Sequence, residues 1–246
     1  FLSNDVDYTY ILQNSSQSTR KITSFADPIS ELQSYFGRAT VNYLDRYLLT
    51  ATMRADGSSK FGKNNKYGYF PSVAAAWNIS NESFMQNNGL FDNLKLRIGW
   101  GKTGNQEFPS GSAIERYGFS QGGYSQSNVA NPDLKWETST TTNAGIDFSI
   151  FKGRVSGTMD YFNKKTNDLL FNFDAIQPAP ATKYWVNLDG DVINKGFELA
   201  LNGLIVKKAD FSWNLGFNVA FLHNELQNYK GPTVLTGEIH GQGVSG

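Results

Sequence analysis

The chain contains no cysteine, which excludes disulfides and every thiolate-based metal or redox centre. Its only histidines are His223 and His240. With no helical histidine pair, catalytic and transition-metal sites have almost no ligands to draw on, and no cofactor is expected. Net charge is lacking too: 22 Lys+Arg balance 22 Asp+Glu, so no long-range field recruits nucleic acid or an anionic surface. No run of about 18 apolar residues occurs, which excludes a transmembrane helix, and mean hydropathy is −0.41. A membrane β-barrel survives both observations, because its strands carry apolar residues only at every second position. Proline is sparse, at 7 residues, whereas glycine reaches 24 and aromatics 14% of the 246 residues; that balance favours strands and turns. The length suits one large all-β domain or two ordinary domains. The first residue is Phe1 and no signal peptide follows it, so an internal start is expected.

From residue 33 a period of two dominates. Eight runs alternate. Tyr35, Gly37, Ala39, Val41 and Tyr43 share the first apolar face, and Tyr47, Leu49, Ala51 and Met53 the second. Tyr69, Pro71, Val73, Ala75, Trp77 and Ile79 form the third, and Leu94, Leu96, Ile98 and Trp100 the fourth. The fifth runs from Trp136 to Ile150, the sixth from Val155 to Tyr161, the seventh from Phe197 to Ile205 and the eighth from Phe211 to Phe221. Tight turns are expected after Tyr43, Phe151 and Val206, and long loops after Arg54, Thr103, Phe171 and Leu226. The segment 80–93 breaks this rule, being long on the tight-turn side, with a single helical turn expected from Ser80. A long Gly-, Ser- and Gln-rich loop ends at Asn131-Pro132-Asp133, and another covers 174–187, where Pro178 and Pro180 argue against a strand.

Such alternation has two physical explanations. The apolar face packs the core of a soluble sandwich, as in a carbohydrate-binding or adhesive β-domain, or it meets lipid while the polar face lines a wet lumen. Three features favour lipid. Several runs reach the roughly 9–11 residues needed to cross a bilayer at a tilt. Charges (Arg38, Arg54, Arg97, Glu137, Asp147, Asp160, Glu198) keep to the polar face, and Tyr43, Tyr47, Tyr69, Trp77, Trp136, Phe148, Phe211 and Trp213 recur near the ends of the apolar one. The connections alternate between short and long, as the periplasmic turns and external loops of outer-membrane barrels do. By the same rule the chain enters and leaves on the long-loop side. The expectation is an all-β, antiparallel transmembrane β-barrel segment of about eight strands from a larger barrel: 1–32 an extracellular loop region, 33–227 the strands, 228–246 a further extracellular loop.

The run YLLTATMRADGSSKFGKNNKYGYFPSVAAAWNIS, followed by FDNLKLRIGWGKTGNQ, resembles the SusC/RagA family of TonB-dependent outer-membrane transporters of Bacteroidetes. The stretches NPDLKWETSTTTNAGIDFSIFKGRVSGTMDYFNKKTNDLL, NKGFELALNGLIV and DFSWNLGFNVAFLHNEL follow in the family's order. The resemblance implies a barrel of about 22 strands and a plug domain absent from this chain. It implies a SusD-like surface lipoprotein as lid, the TonB complex as energy source, and import of an oligosaccharide or peptide through the outer membrane of a Gram-negative bacterium. Such a protein is not an enzyme. The stretch from Asn187 to Gly196 is slightly long for the family pattern.

Within the loops the aromatics Tyr117, Phe119, Tyr124, Tyr184 and Trp185 are the ligand-binding candidates, since aromatic faces stack on sugar rings and pack against peptide side chains. They serve equally well to pack the loops on each other. Three other patterns carry less. Gly99-Trp-Gly-Lys-Thr-Gly104 fits a nucleotide fingerprint but lacks a following helix, so its glycines are expected to ease a strand into a loop. Asp189 and Asp191 offer oxygens to calcium but equally suit a solvated loop. Glu137, Asp147, Asp160 and Glu198 could be paired as glycosidase carboxylates, yet they fall on different strands and suit a polar lumen wall. Asn14, Asn78 and Asn81 fit the N-glycosylation pattern, which has no meaning in a bacterial barrel.

Overall fold

The computed structural model describes residues 29–85, 89–120, 123–175, 179, 181 and 183–229. Most of the expected terminal loop regions, Pro178, Pro180 and His240 lie outside them. The described residues form ten strands in chain order: β1 (Leu32–Tyr43), β2 (Tyr47–Ser58), β3 (Tyr67–Asn78), β4 (Phe91–Asn105), β5 (Arg116–Ser120), β6 (Gly123–Asn128), β7 (Glu137–Ile150), β8 (Val155–Asp174), β9 (Lys183–Lys207) and β10 (Ser212–Gln227). Eight make one antiparallel sheet in the order β1-β2-β3-β4-β7-β8-β9-β10, so every neighbour is also the next sheet strand along the chain, and β1 and β10 are its edges. β5 and β6 form a separate hairpin.

Register is what turns eight alternating runs into one surface. Val41 opposes Leu49, Leu49 opposes Ala75, Ala75 opposes Ile98, and Ile98 opposes Ala144. Ala144 opposes Tyr161, Tyr161 opposes Phe197, and Phe197 opposes Phe221. A slip of one residue at any ladder would bring the polar set onto this face. On β9 the apolar stretch runs from Phe197 to Ile205, about 27 Å along the strand at roughly 3.3 Å per residue. Tilted by about 35–45°, that stretch rises about 19–22 Å, most of the roughly 25 Å apolar band of an outer-membrane barrel. Among the described residues the face has no covering layer: Leu215 is 54% exposed and Phe217 56%. A soluble sandwich would have put a second sheet there.

Three tight turns close neighbouring strands, the last at 208–211, where the Lys208 amide donates to the Phe211 carbonyl at 2.8 Å. Leu44 and Asp45 both take positive φ, with the Arg46 amide donating to the Tyr43 carbonyl at 3.0 Å, the type I′ geometry that matches strand twist. Phe151, Lys152 and Gly153 make the second. The exceptional connection, 79–90, holds two short 3-10 turns, Ile79–Asn81 and Ser83–Met85, rather than one turn from Ser80. It is latched to the first hairpin. The side-chain amides of Asn78 and Asn81 donate to the Asp45 carbonyl at 2.7 and 2.8 Å. The nearly buried Glu82 carboxylate accepts from Tyr47 Oη (2.6 Å), Trp77 Nε1 (3.0 Å) and Arg46 Nη1 (3.3 Å). So two asparagines of the glycosylation pattern have a structural task.

The Tyr47 hydrogen bond, aided by Trp77 and Arg46, holds the Glu82 carboxyl below the ordinary carboxylate range. A depressed folded value means that the latch contributes fully above the unfolded value of about 4.3 and is lost as pH falls through the lower, folded one. Glu82→Gln should therefore lower the thermal midpoint near neutral pH and shrink that difference under acid. Melting curves of both forms across this window check it; a constant difference would leave the carboxylate without its role.

Three features depart from the sequence expectations. The loop ending at Asn131-Pro132-Asp133 contains the β5–β6 hairpin; its strands are too short for their alternation to stand out. The expected loop 174–187 shrinks, because β9 begins at Lys183 and pairs with β8 out to Asp174. Tyr184 and Trp185 are thus strand residues. The ladder is irregular between Asn167 and Leu169, where Asp168 takes φ 57° opposite Asp189 and Gly190. That bulge falls in the stretch that looked slightly long. Lastly, Trp136 is no rim aromatic: it is 6% exposed, inside the loop core described next.

Candidate functional site: a polar wall beneath a loop cap

The polar face of the sheet carries a charged network at its centre. Arg97 on β4 donates through Nε and Nη2 to Asp147 on β7 at 2.9 and 2.7 Å, and through Nη2 to Asp160 on β8 at 2.9 Å. This fork bridges three strands because Gly145 lies between the partners: a Cβ there would collide with the Asp160 carboxylate and crowd the guanidinium. Glu198 on β9 sits directly across from Asp160 in the ladder. Two shallow recesses flank the network. One, of about 400 Å³, is lined by Thr50, Ser72, Ala74, Gly99, Gly101 and Thr141. The other, of about 330 Å³, is lined by Thr158, Asp160, Glu198, Ala200 and Asn218. Small and hydroxylated side chains predominate along this wall, with Asn143 and Phe162 beside them in the first recess.

Above the wall the long connections form one body. Its core is Phe61, Phe70, Phe108, Ala113, Leu134 and Trp136, with Leu170 and Trp185 packed against it. Trp136 lies 4.6 Å from Phe61 and 5.4 Å from Phe70, centroid to centroid, and Phe108 lies 5.6 Å from Trp185. Polar seams complete the cap. The Gly62 amide donates to the Leu134 carbonyl at 3.0 Å, and a Cβ on Gly62 would collide with the Pro132 carbonyl. Lys60 Nζ reaches the carbonyls of Gln106 (3.3 Å) and Phe108 (3.0 Å). Trp136 Nε1 donates to the Lys66 carbonyl at 3.1 Å. Asn187 on β9 exchanges two hydrogen bonds with the Lys135 backbone, and Asn131 Nδ2 donates to the Trp185 carbonyl at 3.0 Å. Loops 59–66 and 106–136 and the β8–β9 extension therefore hold each other.

The five candidate aromatics separate into three settings. Tyr117 and Tyr124 pack edge to face on the β5–β6 hairpin at 5.8 Å, 46% and 72% exposed. Tyr117 Oη donates to Glu115 at 2.7 Å, which raises its pKa. Phe119 stands opposite Tyr124 in the same hairpin register. Tyr184 is stacked on Phe173 at 6.4 Å, and Phe173 meets Phe171 at 5.0 Å. Trp185 belongs to the cap core. Phe171 and Phe173 escaped sequence reasoning, although the alternation past Leu169 was the available signal.

The remaining patterns resolve simply. Gly99–Gly104 lie inside β4, with no helix after them. Asp191 is bonded to Lys165 at 2.7 Å, Asn228 at 2.8 Å and Asn167, and no three-member cluster of metal-ligating side chains occurs among the described residues. Of the four carboxylates, Asp147 and Asp160 share Arg97, while Glu137 accepts from Asn105 Nδ2 and the Leu170 amide.

The geometry is matched by kinship. Residues 1–239 match the family described as TonB dependent receptor-like, beta-barrel. The chain is 37% identical over 227 residues to TonB-dependent receptor SusC of Bacteroides thetaiotaomicron, covering 86% of the chain and 22% of that relative. It is 38% identical over 220 residues to TonB-dependent receptor P26 of Formosa agariphila, again covering 86% of the chain and 22% of the relative. The structure of the RagAB peptide transporter superposes with a TM-score of 0.76 at 26% identity, over 85% of this chain and 24% of the other. The chain thus spans under a quarter of the proteins it resembles. An exposed apolar belt, a polar wall and these matches agree: the chain belongs to the β-barrel family of TonB-dependent receptors, on the SusC and RagA side of it.

Proposed function

We propose that this chain supplies part of the barrel wall and extracellular loops of an outer-membrane importer of oligomeric nutrients, glycan or peptide, energised through TonB. The observation that carries the reading is the single apolar face kept in register across eight strands, backed by the Arg97–Asp147–Asp160 wall. In this reading the long connections face the outside and the tight turns face the periplasm. A SusD-like lipoprotein closes over the loops, and the plug and TonB contact belong to parts of the protein beyond this chain. The wall needs no covalent chemistry, so no residue here is given a catalytic role. RagAB is described as a peptide transporter, which supports the peptide arm; the exposed Tyr117–Tyr124 pair suits either cargo.

Deleting the gene should abolish uptake of one class of labelled oligomer, tested with panels of oligosaccharides and oligopeptides. Returning the full-length gene with Tyr117→Ser and Tyr124→Ser should restore the protein in the outer membrane but weaken uptake at limiting concentration by about tenfold or more, since each lost stacking contact is worth roughly 1 kcal/mol. Unchanged uptake after deletion of the gene rejects the importer. Parental uptake by the double variant rejects only the hairpin's part.

A further inference from the structure

Directly above the apolar belt, the outward face changes character. Trp100, Thr142, Asn163, Lys195 and His223 follow one another across β4, β7, β8, β9 and β10, one step up from Ile98, Ala144, Tyr161, Phe197 and Phe221. A step higher come Lys102, Thr140, Lys165, Ile193 and Glu225. Four basic side chains thus gather on one outward patch. Lys195 and His223 are directly opposed, about 5 Å apart at Cβ, with Lys165 on the diagonal at about 7–8 Å. Lys102 is two strands from Lys165, about 10 Å away.

The acids nearby are partly spent. Asp191 is held by Lys165, Asn167 and Asn228, and Glu225 meets His223 at 3.4 Å. Lys102 and Lys195 form no direct ion pair among the described residues, though Lys195 attracts Glu225 through space, and Lys195 is exposed. The patch also has an aromatic floor in Trp100, Tyr161, Phe197 and Phe221, which are 42%, 50%, 39% and 66% exposed. Rings at the edge of an apolar band with cations just beyond it match a lipid boundary where acyl chains give way to phosphate.

We propose that Lys102, Lys195 and His223, flanked by Lys165 in its pair with Asp191, form a binding strip for the phosphate groups of outer-leaflet glycolipid of the lipid A type. The proposal rests on the outer-membrane reading above. Its occupant follows from charge and level together: the strip points away from the lumen, so cargo does not pass it, and it stands at the headgroup depth of the leaflet on the long-loop side. Bound glycolipid would seat the barrel at a fixed height and brace the β8–β9 extension.

The test uses the full-length protein purified in detergent and titrated with lipid A by native mass spectrometry. Lys102→Gln with Lys195→Gln should weaken lipid A binding by about 10- to 30-fold, at roughly 1 kcal/mol per cation near an anionic surface. Lys102→Arg with Lys195→Arg should bind as the parent does. Enzymatically dephosphorylated lipid A should bind the parent as weakly as lipid A binds the glutamine variant. Equal binding of lipid A by parent and glutamine variant overturns the strip, as does equal binding of the two lipid forms by the parent. Displacement of lipid A by millimolar inorganic phosphate would mark a soluble-phosphate site and also overturns it. Fractionation of cells separates the two readings: absence from the outer membrane rejects the importer itself, whereas correct location with lysine-independent binding rejects only the strip.

Discussion

Replacing Leu201 by lysine is expected to block folding into the membrane, whereas replacing its neighbour Ala200 by lysine should be nearly silent. The two positions are adjacent on β9 and differ only in face. Leu201 lies midway between Phe197 and Ile205 on the apolar side, opposed by Gly157 and Phe217. Ala200 lies on the polar side between Thr158 and Asn218, in the recess that holds Glu198. A lysine at mid-bilayer on the lipid face costs roughly 2–4 kcal/mol, and a lumen-facing one little. Near the folding midpoint that range shifts the folded-to-unfolded ratio by about 30- to 1,000-fold. Folding of the full-length protein into lipid vesicles, read as the fraction migrating as the compact band without heating, measures it. Equal losses at both positions, or a larger loss at Ala200, would refute the assignment of faces and the lipid-facing reading with it.

That contrast was available from the sequence alone, because period-two alternation is a local property. Each of the eight long runs announced its own strand, and the tight turn expected after Phe151 announced its hairpin. Other features depend on partners far apart in the chain. Trp136 extends the alternation of β7 toward its start and so looked like a rim aromatic. Its burial is decided by Phe61, Phe70 and Leu134 arriving from other segments. Tyr184 and Trp185 looked like loop residues because prolines stand just before them, while β8 pairs with β9 well past the belt. The five-residue strand β5 is too short for alternation to stand out against the glycine and serine around it.

The wall was half legible. Sequence parity placed Arg97, Asp147 and Asp160 on one face, which is why they suited a lumen. Their convergence on one guanidinium needs the registers of two ladders, β4 with β7 and β7 with β8, and a glycine at position 145. The partner that organises Asp147 and Asp160 is a cation on a third strand, an arrangement that suits the lumen wall their parity suggested. The exposed tyrosines of the β5–β6 hairpin were found by composition, and their edge-to-face contact came only with the fold.

Trp136→Ala should open the cap without unfolding the wall. The indole is 6% exposed, packs on Phe61 and Phe70, and donates to the Lys66 carbonyl. Truncating so buried an aromatic costs about 3–5 kcal/mol in lost transfer energy and residual cavity. The loss falls on loops 59–66 and 106–136, because the membrane-facing ladders are satisfied without them. Local opening should then be favoured by about 10²- to 5 × 10³-fold. The Gly62 amide, which donates to the Leu134 carbonyl, should exchange with solvent faster by a comparable factor, and protease should nick the 106–136 connection at rates the parent resists. Trp136→Phe keeps most of the ring and loses the Lys66 bond, so it should fall between the two. Insertion into the membrane should remain that of the parent in both variants. Capture of cargo should fall with the opening of the cap, since the β5–β6 hairpin hangs from it through Asn128, whose side chain donates to the carbonyls of Ser112 and Ile114. An exchange rate at Gly62 unchanged by Trp136→Ala would mean that the loops are held by their polar seams alone. The aromatic core would then be a consequence of the cap and not its cause.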